Sequence, residues 1–156
     1  PTSEQMAEIA ISTARVVRLF GFDPKVAFVS HSTFGQPLTN RTKHIRKAVD
    51  ILKEKKVDFE FDGDMQPDVA LNLEYEELYP FSKIVGKANI LIMPGQHSAA
   101  ISYKMMKTLG DTKVIGPLLI GLSLPIEIAP LRSSTSEIIN LASIAAYSAD
   151  VIDYKK

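Results

Sequence analysis

The chain has 156 residues, 46% of them hydrophobic and 23% charged, with 18 basic side chains balancing 18 acidic ones. That length fits one domain with a proper core, and without a basic excess to grip a phosphate backbone, nucleic acid is a poor partner. There is no cysteine, hence no disulfide framework, thiol nucleophile or Cys-based zinc site, and no apolar run approaches the ~20 residues of a membrane span. Pro1-Thr2-Ser3-Glu4 lacks the basic and apolar regions of a signal peptide. The expectation is a cytoplasmic globular domain without membrane or nucleic-acid partners, and the start at Pro1 suggests a piece of a longer polypeptide.

Residues 2–20 read as a helix. Thr2 and Gln5 can form a capping box, and Met6, Ile9, Ala10, Thr13, Val16, Val17 and Phe20 recur at helical spacing. Gly21 and Pro24 end it. Residues 26–30 form a short apolar run, the pattern of a buried strand. A polar stretch leads to a second amphipathic helix over about 41–55, with Ile45, Ala48, Val49 and Leu52 inward. Residues 57–61 alternate and predict a strand near a sheet edge, with Gly63 marking a turn. Pro67 opens a short helix that continues loosely to Leu78.

Residues 89–93 predict the central strand, apolar after Asn89 and bounded by Pro94-Gly95. A helix over about 98–109 ends at Gly110. Further strands are predicted over 113–120, interrupted at Gly116-Pro117, and over 125–128. Ser134 and Glu137 form a second capping box, opening a helix with Ile138, Leu141, Ala142 and Ala145 on its buried face. No repeat or linker divides the chain. Strands separated by helices imply βαβ crossovers: one α/β domain over 1–156, with a mostly parallel sheet and helices on both faces in three layers.

In such sheets ligands bind beyond the carboxyl ends of the strands. That rule selects residues 30–35, 62–64, 94–98 and 132–134. Ser30, Ser32, Thr33, Ser98 and Ser133 supply hydroxyls, Gln96 and His97 lead into a helix, and Arg41, Lys43 and Arg132 could supply charge. Together they suggest a pocket for a phosphorylated or carboxylated small molecule. The same residues have plainer uses. Ser32-Thr33 and Asp62-Gly63-Asp64 suit turns, Ser134 suits a cap, and Arg41, Lys43, Arg46 and Lys47 suit a solvated helix face. His31, His44 and His97 share no metal-ligand spacing. GxSxG, GxGxxG and P-loop motifs are absent. Chemistry read from residues alone stops at an anion-friendly crevice.

Several ordered segments resemble the phosphate acetyltransferase family: VAFVSHSTFG at 26–35, FDGDMQPDVAL at 61–71 (similar to D-G-E-L-Q-x-D-A-A-L), GKANILIMP at 86–94, Tyr103-Lys104, IGPLLIGL at 115–122 and EIINLASIAA at 137–146. The resemblance covers the carboxyl-terminal half of that family's unit and implies one lobe of a two-lobe, isocitrate dehydrogenase-like architecture. Phe34-Gly35, Pro80-Phe81-Ser82 and His97-Ser98-Ala99 look more like the version at the carboxyl end of large bacterial malic enzymes. The transferases carry Ser-Arg-Gly-x-Ser-x-x-Asp before the last helix. Counted back from Glu137, Pro130 and Leu131 stand where Ser and Arg are expected. Their side chains can neither hydrogen-bond a thiol nor pair with phosphate, so no catalytic residue is assigned. The resemblance therefore implies an acetyl-CoA-binding regulatory domain. Oxidation of malate, with NADP and a divalent metal, would lie in absent upstream domains, and the rest of the polypeptide and a second copy would be partners. A phosphate acetyltransferase with Arg132 slipped into the site, and a structural oligomerisation module, remain the alternatives.

Overall fold

The computed structural model describes residues 1–110 and 113–151. It divides into two compact units, Pro1–Ser102 and a second from Tyr103 onward. In the first, α1 (Ser3–Leu19) begins with the expected box: Thr2 Oγ1 accepts the Gln5 amide at 3.1 Å and Gln5 Oε1 accepts the Thr2 amide at 2.8 Å. Its buried stripe is narrower than periodicity implied. Met6, Ala7, Ala10 and Ala14 are buried, while Ile9 and Phe20 are 45% and 44% exposed. Alanines, having nothing beyond Cβ, let α1 lie close against its neighbours.

β1 (Lys25–Val29) leads through a loop to α2 (Asn40–Glu54), where Thr39 and Thr42 exchange amide-to-hydroxyl bonds at 3.2 and 2.8 Å. Ile45, Ala48, Val49 and Leu52 turn inward as predicted. β2 (Glu60–Met65), α3 (Pro67–Leu71), a 3-10 turn (Leu73–Tyr75) and β3 (Ile90–Ile92) follow. All pairings are parallel, in the order β2-β1-β3. β1 is therefore central and β3 flanks it, the reverse of the expectation for 89–93. Asn89 precedes the strand: its Oδ1 accepts the Lys25 amide and its Nδ2 donates to the Asp23 carbonyl, both at 2.8 Å, fixing where β1 begins.

Helices cover both faces. α1 and α2 pack with Val26, Phe28, Phe61, Ile90 and Ile92 on one side. On the other, Ala27, Val29 and Met65 meet Ala70 of α3 with Ile84 and Ala88. Phe28, Leu52 and Met6 are almost fully buried, and burial of such side chains contributes ~1.5–3 kcal/mol each.

β2 departs most from expectation. Residues 57–59 are not strand, and residues 62–64 continue the strand rather than turning. Phe28 pairs with Gly63 but Val29 pairs with Met65, so Asp64 is an extra residue without a ladder partner. This bulge explains a parity that alternation cannot. Phe61 and Met65 are four apart, which in a regular strand puts them on one face. Here they enter opposite core layers.

α4 (Gln96–Leu109) has residues in both units, and α5 (Thr135–Val151) belongs to the second. The strands expected over 113–120 and 125–128 are not formed among the described residues. Side chains take backbone groups there: Tyr103 Oη donates to the Gly116 carbonyl at 3.2 Å, and the Glu127 carboxylate accepts the Leu119 amide at 3.1 Å. On α5 only Leu141 is buried; Ile138 is 49% exposed, so the expected face is mostly uncovered within this unit. Among the described residues no helix is long and apolar enough to cross a membrane.

Gly63 has φ +147°, and a Cβ built there would lie 2.7 Å from the Phe28 carbonyl oxygen and 2.8 Å from the Phe28 Cβ. Gly63→Ala is expected to destabilise the chain by at least ~2 kcal/mol through backbone strain and overpacking, read as a lower urea midpoint.

Candidate functional site

Because the three strands are parallel, their carboxyl ends share one edge of the sheet. Ser30, Ser32 and Thr33 follow β1, Asp64 and Gln66 lie at the end of β2, and Gln96, His97 and Ser98 open α4 just after β3. The loop after β1 is held largely by β2. The Ser30 amide donates to the Met65 carbonyl at 2.9 Å and the Phe34 amide to the Asp64 carbonyl at 2.6 Å. The Gln66 amide donates to Thr33 Oγ1 at 3.3 Å, and Gln66 Nε2 to the His31 carbonyl at 3.0 Å. Thr33 and Gln36 exchange backbone bonds, which closes the loop on itself.

Ser32 is completely buried and donates its hydroxyl to Asp64 Oδ2. Ser30 Oγ lies 3.3 Å from Ser32 Oγ, and His31 Nδ1 lies 3.5 Å from Ser30 Oγ. Asp64 is itself completely buried, and its Oδ1 has no partner. Asp62 is satisfied differently: its two oxygens accept the amides of Gly63 and Lys83, each at 2.8 Å. Of the two aspartates flanking Gly63, one anchors backbone and the other anchors a serine. The bulge makes the difference, because it takes Asp64 out of the ladder and frees the carboxylate to reach the loop.

Phe34 adopts φ +49°, uncommon for a bulky residue, and its ring packs on Tyr79 and Phe81 at centroid distances of 5.4 and 4.8 Å. Arg46 donates to the Phe34 carbonyl at 3.1 Å and passes so close to Gly35 that a Cβ there would run into the guanidinium. A cleft of about 320 Å³ opens beside these groups, lined by Phe34, Phe81, Arg46, Lys53 and Lys83 with Asp50 and Asp62. Asp50 is paired with Lys53 at 2.7 Å.

The structure thus gathers Ser30, Ser32 and Thr33 in one loop and sets Gln96, His97 and Ser98 on the same sheet edge. Arg41 is exposed in the first turn of α2. Arg132 and Ser133 belong to the second unit, in a turn closed by the Ser133 amide on the Pro130 carbonyl at 2.9 Å. Arg132 is exposed, whereas Ser133 Oγ is buried without a partner. Asp64, Gln66 and Arg46 shape the site without having been singled out as ligand contacts. The signal available for Asp64 is its place in the acidic run Glu60-Phe61-Asp62-Gly63-Asp64, which reads equally well as a turn. Among the described residues no group of three or more His, Asp or Glu side chains could hold a metal ion.

Ser134 caps α5. Its hydroxyl and amide both bond to the Glu137 carboxylate, at 3.0 and 2.8 Å, and it accepts the Glu137 amide at 3.3 Å. Lys107 Nζ lies 2.6 Å from Glu137 Oε1. This bond first, and the Ser134 bonds next, hold the Glu137 carboxyl down at about 2, below its ordinary 4.5. A depressed carboxyl contributes stability that is complete above its unfolded pKa and is lost as pH falls through the folded one. Glu4, held at about 2 chiefly by Lys47, adds to the same limb. The Tm gap between the native chain and Glu137→Gln is expected to be open at pH 6 and to close between pH 4.5 and about 2.

The sequence profile described as phosphate acetyl/butaryl transferase matches residues 1–146. An NADP-dependent malic enzyme of Rhizobium meliloti is 49% identical over 96% of this chain and 20% of its own length. A phosphate acetyltransferase of Bacillus subtilis is 35% identical over 96% of this chain and 46% of its own. A phosphotransacetylase structure from Streptococcus pyogenes superposes with a TM-score of 0.90 at 36% identity, over 96% of this chain and 46% of that one. The chain thus spans about a fifth of the malic enzyme and under half of either transferase.

Proposed function

This chain belongs to the phosphate acetyl/butaryl transferase family, and on that premise we propose that it is the acetyl-CoA-sensing region of an NADP-dependent malic enzyme, without working transferase chemistry. The observation that carries this reading is the 49% identity to the Rhizobium meliloti malic enzyme, against 35% to the Bacillus subtilis transferase over the same share of the chain. The segment before α5 points the same way. Pro130 and Leu131 stand where the family resemblance puts a serine and an arginine, and neither side chain can activate a thiol or bind a transferring acetyl phosphate. Arg132 is the cation that remains in that turn. Ser30, Thr33 and the start of α4 supply polar groups on the sheet edge.

A region that keeps its crevice and lacks the catalytic pair works by differential binding. Acetyl-CoA would favour one global state of the parent enzyme over another, with a coupling of ~1–3 kcal/mol. Decarboxylation of malate, and the NADP it uses, belong to the remainder of that polypeptide, and a second copy of the chain would complete the assembly. The runner-up is one lobe of an active phosphate acetyltransferase, favoured by the TM-score of 0.90 to the Streptococcus pyogenes phosphotransacetylase.

Titration of acetyl-CoA, CoA and acetyl phosphate into the parent polypeptide, with malate oxidation and acetyl transfer both assayed, separates these readings. Acetyl-CoA is expected to change malate oxidation while acetyl transfer stays at background. Transfer at an ordinary enzymatic rate would establish the transferase instead, and indifference to every ligand would leave an assembly module. Arg132→Ala is expected to weaken the acetyl-CoA response by ~1–3 kcal/mol, the loss of a charge-assisted bond; an unchanged midpoint removes Arg132 from the site.

A further inference from the structure

We infer that Asp64 is a positioning residue that makes Ser30 a hydrogen-bond acceptor, so that the part of a ligand meeting this loop is a donor such as an amide N–H rather than a phosphate or carboxylate. Each serine hydroxyl has one proton to give. The proton of Ser32 goes to Asp64 Oδ2. Ser32 Oγ can then only accept, and the oxygen beside it, 3.3 Å away, is Ser30 Oγ. The proton of Ser30 therefore points inward to Ser32, and its remaining lone pairs are left at the half-buried mouth of the loop. A protein group near them is His31 Nδ1, at 3.5 Å.

The surroundings of Asp64 act in the same direction. Asp64 is completely buried, its Oδ1 has no partner, and among the described residues no cation pairs with it. An anion placed at Ser30 therefore meets a lone pair with no cation behind it. This reverses the anion-friendly character that hydroxyls after a strand suggest on sequence grounds. It rests on the acetyl-CoA reading only for the identity of the natural ligand: of such a cofactor, the amide-bearing arm would lie at this loop and the phosphates elsewhere.

The test uses the full chain, isotopically labelled, with the amide signals of residues 30–34 followed during titration with pantetheine, a neutral amide donor, and with inorganic phosphate. In the native protein pantetheine is expected to shift these signals and phosphate at equal concentration to leave them unmoved. Asp64→Asn, whose amide donates to Ser32 and releases the outward proton of Ser30, is expected to weaken pantetheine about tenfold and to let phosphate shift the same signals. Ser32→Ala cuts the chain between Asp64 and Ser30 and is expected to give the same reversal if Asp64→Asn does not fold. Ser30→Ala should lose pantetheine without gaining phosphate. A variant that weakens both probes alike, one that changes neither, or a native protein that binds phosphate at this loop overturns the inference. Acetyl-CoA on the same samples keeps the two proposals apart. Failure to bind it while pantetheine still shifts the loop refutes the sensor alone, and binding without the opposite response to the two probes refutes the role of Asp64 alone.

Discussion

One extra residue in an edge strand organises most of what lies at the sheet's carboxyl edge. At Gly63 the backbone takes φ +147° hard against Phe28, and Asp64 drops out of the ladder between two regular pairs. Asp62, buried in the regular part of the same ladder, is satisfied by the amides of Gly63 and Lys83. Released by the bulge, Asp64 bonds through its carbonyl to Phe34 and through its carboxylate to Ser32. The loop after β1 then follows, with Phe34 in its left-handed conformation and Arg46 spanning Gly35 to reach its carbonyl. Core packing on both faces is kept in phase by the same step, since it returns Met65 to the layer of Val29.

The helices and the parallel sheet were legible because their signals are local. Thr2 with Gln5 and Ser134 with Glu137 cap their helices as their spacing dictates, and residues 26–30 announce a buried strand by composition alone. β2 was not legible, because alternation assumes an even count and the bulge makes it odd. The segments at 113–120 and 125–128 have strand-like composition, but a strand also needs a neighbour, and here backbone groups are taken by Tyr103 and Glu127 side chains. The site was half legible. Position after a strand picked out Ser30, Ser32 and Thr33, but which of these hydroxyls gives its proton inward depends on Asp64, thirty-two residues beyond Ser32.

The two units contribute different chemistry. The first presents hydroxyls, amides and a buried aspartate at its sheet edge. The second presents Arg132 at the surface, ahead of a helix whose first turn is tied down by Glu137 and Lys107. Family membership alone does not choose between catalysis and sensing, because the same scaffold serves enzymes and regions of larger polypeptides. The choice turns on the few side chains before α5, where proline and leucine offer only backbone. A chain with zero net charge remains compatible with a polyanionic ligand if its cations and its acceptors address different parts of that ligand.

The bulge also has a meaning for how such a chain can change over time. A deletion of the single residue 64 would leave Gly63 and Met65 adjacent and opposite Phe28 and Val29, the partners they already have. Sheet register and both hydrophobic layers would survive the loss, while the acid under Ser32 and the carbonyl that accepts the Phe34 amide would both disappear. The fold is therefore indifferent to this residue's presence in a way it is not to Phe28 or Leu52. Reading-frame-preserving loss of one codon offers a route from an ordered crevice to an unordered one with the architecture intact.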